Sequence, residues 1–449
     1  MPHRGIDRRD FIKTAAAVGA GIVVGSVSNA QATDNAPNRT EGQESLIGFT
    51  TPPMSKVRLG FVGTGGRGTA LLHEFLKCDG TEVNAVCDVH PERAARARDI
   101  VQKAERGKAE VYSKNDHDFE NLCSREDIDL VINATPWEWH VPVALDAMKK
   151  GRHIAIEVPA ALTIEDCWKL VDTAERSRCH CMMLENCCYG PTELAVLNAV
   201  RQGVFGEILH GEGGYLHDLQ QVKFDESGEG AWRRKYSEKF NGNLYPTHGL
   251  GPIAQCMNIN RGDRFGYLVS MSGPSRGLQM YAAEHFGKDD PRATREYKLG
   301  DVNTSLIQTA LGKTLMVQHD TNTIRPYSRI NNLVGTRGIF CGYPDRVGLG
   351  EKWDDIDAFL KKYEHPLVTQ TKAGAQTGGH GGMDFILAYR LVTCLRKGLP
   401  LDMTVYDAAA WSSIVELSIK SVASKSAAMD FPDFTRGAWQ TAEPLGIVS

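Results

Sequence analysis

Short apolar runs alternate with segments of helical periodicity between about residue 56 and residue 185. The runs that predict buried strands lie at 57–62, 82–87, 130–134 and 154–156. Between and after these runs, apolar residues have the spacing of one helix face; one helix is predicted to begin at His140 and another to span Thr163–Ser177. This alternation predicts an α/β domain with a doubly wound parallel sheet, in which ligands bind outside the carboxyl ends of the strands.

The periodicity changes after about Asn186. Segments that alternate like the strands of an open sheet lie near 204–220, 264–276, 297–309 and 313–323. Two later segments, 383–399 and 404–425, have the spacing of amphipathic helices. We therefore predict a first domain at residues 56–185 and a second, α+β domain at residues 186–449 with an open, predominantly antiparallel sheet.

The composition excludes several classes of protein. With 449 residues, 42% of them hydrophobic, the chain can form two domains with cores of their own. A net charge of -4 argues against nucleic acid or an acidic membrane as a partner. The eleven cysteines lie mostly in apolar stretches, which is typical of buried thiols and not of a disulfide framework.

Residues 1–32 have the pattern of an export signal. Arg8 and Arg9 precede a short Gly/Ala-rich apolar segment that ends in a small-x-small site at Ala30 and Ala32. The segment is similar to a twin-arginine signal cleaved near Ala32, so we expect the twin-arginine export machinery as a partner and a periplasmic or secreted protein. Residues 33–55 are predicted to be a polar linker, and no membrane span is expected after processing.

A glycine-rich turn follows the first predicted strand. "GTGGRG" places Gly63, Gly65 and Gly68 in the G-x-G-x-x-G spacing, directly before a helical face. These glycines let a dinucleotide diphosphate approach the start of the helix, as in Rossmann domains. The next strand ends in Asp88, twenty residues past Gly68, where a carboxylate accepts hydrogen bonds from the ribose hydroxyls. The pattern therefore predicts binding of NAD, since a 2′-phosphate would be repelled.

A carboxylate also ends the fourth predicted strand. In "HIAIEVPAAL" the strand runs into Glu157, and Val158 and Pro159 follow. This position lies at the same crevice, where the nicotinamide end of a dinucleotide would be. An apolar side chain such as Val158 cannot act as a general base.

These motifs resemble the glucose-fructose oxidoreductase/inositol dehydrogenase superfamily. The shared segments are "GTGGRG", "CDVHPERA", "ATPWEWH" and "GRHIAIEVPAALT". The dehydrogenases of the superfamily have a lysine that assists proton transfer where this chain has Val158. Further segments are similar to glycoside hydrolase family 109, an NAD-dependent branch typified by bacterial α-N-acetylgalactosaminidases, and the likeness runs from about Lys56 to the C-terminus. These segments are "MMLENCCYGP", "GGYLHDL", "WRRKY", "GNLYPTHGLGPIAQCMNINRGDR", "TNTIRPYSR" and "GGHGGMDF".

The resemblance implies a set of site residues. His248 and Tyr245 match the catalytic positions and, together with Tyr215, Arg233 and Tyr327, the sugar-contacting positions. The predicted cofactor-binding residues are Gly63, Gly65, Gly66, Arg67, Gly68, Asp88, Trp137, His140, Glu157, Val158 and Asn186. No metal is expected: "RCHCMMLENCC" lacks the C-x₂₋₄-C spacing of zinc sites. A site formed by His380 and Asp384 in "GGHGGMD" is the less favoured alternative to a pocket-lining turn.

The resemblance also implies the reaction. A terminal α-N-acetylgalactosaminide or related glycoside is expected to be oxidised at C3, deprotonated at C2, cleaved by elimination, hydrated and reduced again, with a tightly bound NAD recycled in each turnover. His248 and Tyr245 are the candidates for the proton transfers, and the sequence leaves open which of them moves which proton. The alternatives are an exported NAD-dependent sugar oxidoreductase and a sugar sensor that binds NAD without catalysis. A homo-oligomer formed through the open sheet face is a further expectation.

Overall fold

Six parallel strands form the first sheet of the structure, a computed structural model that describes residues 36–226 and 228–448. The strands are β1 (Val57–Val62), β2 (Thr81–Cys87), β3 (Glu110–Tyr112), β4 (Leu130–Asn133), β5 (His153–Ile156) and β6 (Cys181–Met183). They lie in the order β3-β2-β1-β4-β5-β6, and every neighbouring pair is parallel. The prediction of a doubly wound sheet is thereby confirmed.

Helices connect these strands. They are α1 (Gly66–Leu76), α2 (Pro91–Lys103), α3 (Phe119–Cys123), α4 (Trp137–Lys149) and α5 (Ile164–Ser177). The predicted start of α4 at His140 is wrong, because the helix begins three residues earlier, directly after Pro136. The apolar periodicity marks the buried face of a helix and not its first turn, which here is set by the proline.

The second sheet is mixed and mostly antiparallel. Its strands are β7 (Ile208–Leu216), β8 (Phe265–Ser272), β9 (Asn303–Thr309), β10 (Thr314–Asp320), β11 (Asn332–Gly335), β12 (Gly338–Cys341), β13 (Arg346–Gly348) and β14 (Met429–Asp430). They lie in the order β13-β12-β11-β7-β10-β9-β8-β14. Only β7 and β10 pair in parallel among the described strands of this sheet. The four predicted strand segments contain β7 to β10.

The helices of the second part of the chain surround this sheet. They are α6 (Pro191–Arg201), α7 (Gln220–Phe224), α8 (Gly230–Lys239), α9 (Thr247–Cys256), α10 (Gly277–Phe286), α11 (Pro291–Thr294), α12 (Ile356–Lys362), α13 (Pro366–Ala375), α14 (Met383–Lys397), α15 (Val405–Ser412) and α16 (Ile414–Ala423). The single helix predicted over 404–425 is two helices that meet at Ser413. The hydroxyl of Ser413 donates to the carbonyl of Ala410 at 2.8 Å, a local bond that favours a bend in the helix.

Close backbone contact brings α9 onto the inner face of the second sheet. A Cβ atom at Gly213 would lie 2.2 Å from the carbonyl oxygen of Gly249, so neither position has room for a side chain. Glycine at both positions lets the helix lie directly on β7. This contact fixes the start of α9, and with it His248, against the strand that carries Tyr215.

The segment predicted as a linker packs onto the body of the protein from residue 36 onward, and it belongs to the compact unit that begins at Ala36. Arg39 forms an ion pair of 2.9 Å with the buried Glu175 of α5, and the backbone N–H of Leu46 donates to the hydroxyl of Tyr406 at 2.9 Å. The polar composition of this segment therefore reflects ion pairing at the surface of the protein. The predicted signal and its cleavage site lie outside the described residues.

Ten of the eleven cysteines are buried, and the eleventh, Cys341, is half-buried; all of them are free thiols. Burial raises the pKa of Cys78 and Cys87 to about 12, so neither is a reactive thiolate at neutral pH. Within residues 36–226 and 228–448, no helix has the length and apolar character needed to cross a membrane.

Candidate active site

The turn after β1 has the shape that a dinucleotide requires. Gly63 has φ +83°, and a Cβ atom at Gly68 would lie 1.8 Å from the carbonyl oxygen of Gly63, so the turn cannot accept side chains there. A Cβ atom at Gly66, by contrast, would meet no atom within 4 Å. Helix α1 starts at this open space without a side-chain cap, so its first N–H groups face it. The residues present therefore fit the diphosphate of NAD.

Asp88 holds the glycine turn from the end of β2. Its Oδ2 accepts a hydrogen bond from the backbone N–H of Thr64 at 2.8 Å, and its Oδ1 accepts one from the N–H of His90 at 2.9 Å. A carboxylate oxygen accepts more than one hydrogen bond, so these contacts leave capacity for ribose hydroxyls. The structure places the predicted ribose-binding residue beside the glycine turn.

Arg67 joins three parts of the chain at the crevice. Its Nε donates to Glu157 at 2.6 Å, and its two terminal nitrogens donate to the carboxylate of Asp384 at 2.7 and 3.1 Å. Asn186 donates to the same carboxylate at 2.8 Å, and His380 lies 2.8 Å from it. Burial would raise the pKa of Asp384, but His380 and Arg67 hold it well below its usual range. This network contains the predicted residues Arg67, Glu157 and Asn186.

Glu157, a predicted cofactor-binding residue, has a partner within the protein. Its carboxylate forms an ion pair with Arg67. The partner was not apparent from the sequence because the two residues are 90 positions apart. The pair fixes Arg67 at the start of α1, close to the open space that suits a diphosphate.

Trp137 and His140 support the loops of the crevice. The indole N–H of Trp137 donates to the carbonyl of Val158 at 3.2 Å. The two ring nitrogens of His140 lie 2.8 and 2.9 Å from the carbonyl oxygens of Pro159 and Thr135. Burial lowers the pKa of His140. Both ring nitrogens thus lie next to backbone carbonyl oxygens. His140, a predicted cofactor-binding residue, therefore supports the loops beside the crevice.

An aromatic cluster lies where the two sheets approach each other. The rings of Tyr215 and Tyr245 have centroids 4.5 Å apart, and the ring of His248 lies 4.9 Å from Tyr245 and 5.3 Å from Tyr215. Trp137, from the start of α4, lies 6.0 Å from Tyr245. Tyr245, one of the two predicted catalytic residues, therefore lies against the start of α4, at the crevice expected to hold the nicotinamide.

Arg233 and Tyr327 complete this cluster. The guanidinium of Arg233 lies 5.3 Å from the ring centroids of both Trp137 and Tyr245, and its Nε donates to Glu229 at 2.8 Å. Tyr327 lies 6.3 Å from Tyr215. The structure thus brings together the five residues predicted to contact the sugar.

Glu185 is a site residue that the sequence analysis did not identify. Its buried carboxylate lies 2.7 Å from Nδ1 of His248 and also accepts the backbone N–H of Cys187 at 3.1 Å. Burial would raise the pKa of Glu185, but the charge and hydrogen bond of His248 lower it below its ordinary value. The available signal was its position just after β6, at the carboxyl end of a strand of the first sheet.

Among the described residues, Glu185, Cys187 and His248 form the one group whose ligand atoms, all within 4.8 Å of one another, could share a metal ion. The direct hydrogen bond between Glu185 and His248 occupies two of these atoms.

The tyrosines of the cluster are protonated at neutral pH. Burial raises the pKa of Tyr245 well above its ordinary value, although the charge of Arg233 acts in the opposite direction. Burial likewise raises the pKa of Tyr327 to about 12. These phenols can donate hydrogen bonds to substrate oxygens, whereas the imidazole of His248, held by Glu185, can accept a proton.

Comparisons with known proteins identify the family. A model of the glycosyl hydrolase 109 C-terminal domain matches residues 189–441, and a glycosyl hydrolase family 109 protein of Shewanella baltica is 51% identical over 99% of both chains. This chain belongs to glycosyl hydrolase family 109. Another relative, an alpha-N-acetylgalactosaminidase of Shewanella oneidensis, is 50% identical over 99% of both chains.

The first domain and the export signal also match family models. The model of an oxidoreductase family with an NAD-binding Rossmann fold matches residues 57–185. A twin-arginine signal model matches residues 5–25, so the chain carries a signal for export to the periplasm or beyond.

Solved structures share the fold. A levoglucosan dehydrogenase in complex with NADH has a TM-score of 0.63 and 19% identity, and the match covers 84% of this chain and 99% of that chain. The WlbA dehydrogenase from Bordetella pertussis, in complex with NADH and UDP-GlcNAcA, has a TM-score of 0.62 and 16% identity, over 85% and 99% of the two chains. At these identities the likeness concerns the fold alone.

Proposed function

We propose that this glycosidase hydrolyses terminal α-N-acetylgalactosaminides, or closely related glycosides, with a tightly bound NAD that is regenerated in every turnover. The observation that carries the proposal is the position of Tyr245, whose ring lies against Trp137 at the dinucleotide crevice on one side and against His248 on the other. Residues that can transfer protons, placed at the crevice of a dinucleotide-binding domain, suit redox chemistry on a sugar. The relative named alpha-N-acetylgalactosaminidase supports the substrate class.

The residues that would hold the cofactor are those of the glycine turn, with Asp88, Arg67 and Asn186. When bound, NAD supplies a reversible hydride acceptor for C3 of the sugar. Arg67 carries the positive charge that suits the diphosphate, and its ion pairs with Glu157 and Asp384 keep it at the start of α1.

His248 is the base in this proposal. With the Nδ1–H donating to Glu185, the tautomer of His248 leaves Nε2 free to accept the proton from C2 once C3 is a ketone. Tyr245, whose raised pKa keeps its phenol protonated, donates a hydrogen bond to the C3 oxygen. Arg233 stabilises the negative charge that develops as the C2 proton leaves.

Two features argue against other mechanisms. A direct displacement at the anomeric carbon uses two carboxyl groups on either side of the glycosidic bond. The carboxylates beside this cluster are held by other side chains instead, Glu157 by Arg67 and Glu185 by His248. Val158 is buried and apolar where the dehydrogenases of the superfamily have a lysine, which favours hydrolysis over net oxidation.

The test uses the purified protein and an aryl α-N-acetylgalactosaminide in deuterium oxide. We expect release of the aryl group, incorporation of deuterium at C2, and loss of both after NAD is removed. His248→Ala should abolish both, because no other base is held next to C2. His210→Ala is the matched control, since this half-buried histidine lies on β7 and bonds to Thr314 outside the cluster.

The outcomes separate the three candidate functions. Cleavage without deuterium at C2, or full exchange in His248→Ala, contradicts the proposed mechanism. Net formation of NADH with free sugars indicates a sugar oxidoreductase. Tight sugar binding without cleavage indicates a sensor.

A homo-oligomer is also part of the proposal. The outer face of the second sheet exposes Tyr267, Met271 and Leu306, an apolar surface that suits a second copy of the chain. Light scattering of the purified protein measures the oligomeric state.

A further inference from the structure

A small cavity lies behind the aromatic cluster, between the second sheet and helices α7 and α8. Its volume is about 20 Å³, which is space for one particle the size of a water molecule. Side chains that can donate hydrogen bonds line it, namely Lys223, Arg233, Ser237, Tyr245 and His319, and no carboxylate lines it. The nitrogen groups of this lining can donate hydrogen bonds, and its hydroxyls can donate or accept them.

Lys223 is a buried cation without an ion-pair partner. Only 3% of its surface is exposed, and its Nζ donates to the hydroxyl of Thr321 at 2.7 Å and to Oδ1 of Asn322 at 2.6 Å. Both partners are neutral, and among the described residues no carboxylate forms a salt bridge with Lys223. Burial, and then the charge of Arg233, lower its pKa to about 7. Among the described residues its ammonium form thus has no ion-pair partner, although the charges of Asp320 and Asp301, beyond salt-bridge distance, raise its pKa.

Arg233 does not relieve this charge. Its guanidinium already has a carboxylate partner in Glu229, so the two lining cations share one negative charge. The pair therefore leaves a net positive charge at the cavity wall. An anion is the occupant that this charge favours.

His319 supplies an independent observation. Its side chain is 2% exposed, and its Nδ1 has no hydrogen-bond partner within the described part of the chain. A buried polar atom is costly to leave without a partner, so an occupant that can bond to it is favoured. Burial, together with the nearby charge of Lys223, lowers the pKa of His319 to about 3, so the ring is neutral and can donate one N–H.

We propose that this cavity binds one monatomic anion, with chloride as the natural occupant, between Lys223, Arg233 and His319. An anion accepts from the N–H donors of the lining and also supplies negative charge, which a water molecule does not. The small volume favours a monatomic anion over sulfate or phosphate. The anion gives Lys223 its missing counter-charge and holds Arg233 at the rim of the aromatic cluster.

Thermal unfolding of the full protein tests the proposal at constant ionic strength. Replacing gluconate with chloride or bromide should raise Tm by on the order of 2 °C in a saturable way, because the anion binds only the folded state. Lys223→Met removes the charge with little change in length and should abolish the rise. Lys235→Met is the matched control, since Lys235 lies on the exposed side of α8.

A second variant and a direct measurement complete the test. His319→Phe should weaken the bromide effect at least tenfold in midpoint concentration, which covers the case in which Lys223→Met fails to fold. Crystals grown in bromide should show an anomalous peak within 3.5 Å of Lys223 Nζ, roughly the length of an ionic hydrogen bond to a halide. A rise that is identical in gluconate, a rise that persists in both variants, or a cavity that holds only water in bromide would overturn the proposal.

Discussion

At the residue scale, the Glu185–His248 pair explains how the ring of His248 is oriented for its proposed role as a base. A single carboxylate oxygen 2.7 Å from Nδ1 fixes both the orientation and the tautomer of the ring. Glu185 is fully buried, so water does not compete for this bond. Glu185 acts through His248 and is a positioning residue.

Glu185→Gln should lower kcat about 10- to 100-fold with little change in KM, because the ring loses its charged partner while the sugar contacts remain. The pH profile gives a readout that a purely structural role would not change. The lowered pKa of Glu185 keeps its carboxylate ionised at neutral pH, and the negative charge favours a proton on the neighbouring imidazole. The glutamine variant should therefore show the acid limb of kcat at a lower pH than the native protein.

Glu175→Gln is the control for this experiment. Glu175 is equally buried but pairs with Arg39 and Arg436, away from the aromatic cluster. It should lower stability and leave the acid limb unchanged. If both variants shift the acid limb of the kcat profile by the same amount, Glu185 does not act through His248.

Sequence reasoning reached the aromatic cluster but not the residues that support it. Tyr245 and His248 lie three positions apart within one motif, so a pattern in the chain identifies both. Glu185 is 63 positions from His248, and Asp384 is 317 positions from Arg67. Contacts of this kind depend on how the two sheets meet, which no local pattern encodes.

At the scale of elements, periodicity predicted the longer strands, such as β7 to β10, and some of the longer helices, such as α5 and α14. The short strands β11, β12 and β13 were missed, because three or four residues that include glycine carry too little alternation. The break at Ser413 was missed for a different reason: a side-chain hydrogen bond interrupts a segment whose apolar spacing continues. The predictions thus fail where a local interaction overrides the period.

Helix α1 of the first domain is bound to the turn before α14 by a row of contacts. Lys77 donates to the carbonyl of Thr377 at 3.0 Å, and Glu74 accepts the N–H of Gly379 at 3.1 Å. At the end of the row, Arg67 pairs with Asp384. The row closes one side of the dinucleotide crevice and therefore bears on how firmly a cofactor is retained.

Asp384→Asn should increase the rate of NAD dissociation about 10- to 100-fold, because charge-assisted hydrogen bonds to Arg67 are lost. Dilution of the NAD-loaded protein, followed by the absorbance of released nucleotide, measures this rate without any substrate. Melting curves of the loaded and stripped forms give the same comparison at equilibrium.

Asp402→Asn is the matched control for this change. Asp402 forms an equivalent buried pair with Arg390 of the same helix, α14, but has no contact with Arg67. It should reduce stability without faster release of NAD. Equal release rates in the two variants would show that Asp384 acts only through the general stability of α14.

At the scale of the whole molecule, the two ends of the described chain are joined. Glu175 of α5 accepts hydrogen bonds from Arg39, from Tyr406 at 2.7 Å and from Arg436 at 2.8 Å. One buried carboxylate thus links the segment after the signal to the C-terminal region. Cleavage near Ala32 would leave this link intact, which is consistent with export of an already folded protein.

The outer face of the second sheet is the surface through which we expect assembly. Leu306 lies opposite Val269 on β8 and Met316 on β10, so the three side chains form one row across the sheet. Leu306 is 51% exposed, and Met271 in the neighbouring row is 67% exposed. A contiguous apolar row on a sheet face is typical of an interface between subunits.

The double variant Met271→Lys, Leu306→Lys should therefore convert an oligomer into monomers, because each subunit would place two charges in a desolvated interface, at a cost of several kcal/mol. Multi-angle light scattering should give a multiple of the monomer mass for the native protein and the monomer mass for the variant. Leu311→Lys is the control, since Leu311 is 63% exposed in the turn between β9 and β10 and lies off the face. A native protein that is already monomeric, or a control that dissociates equally, would contradict assembly through this sheet.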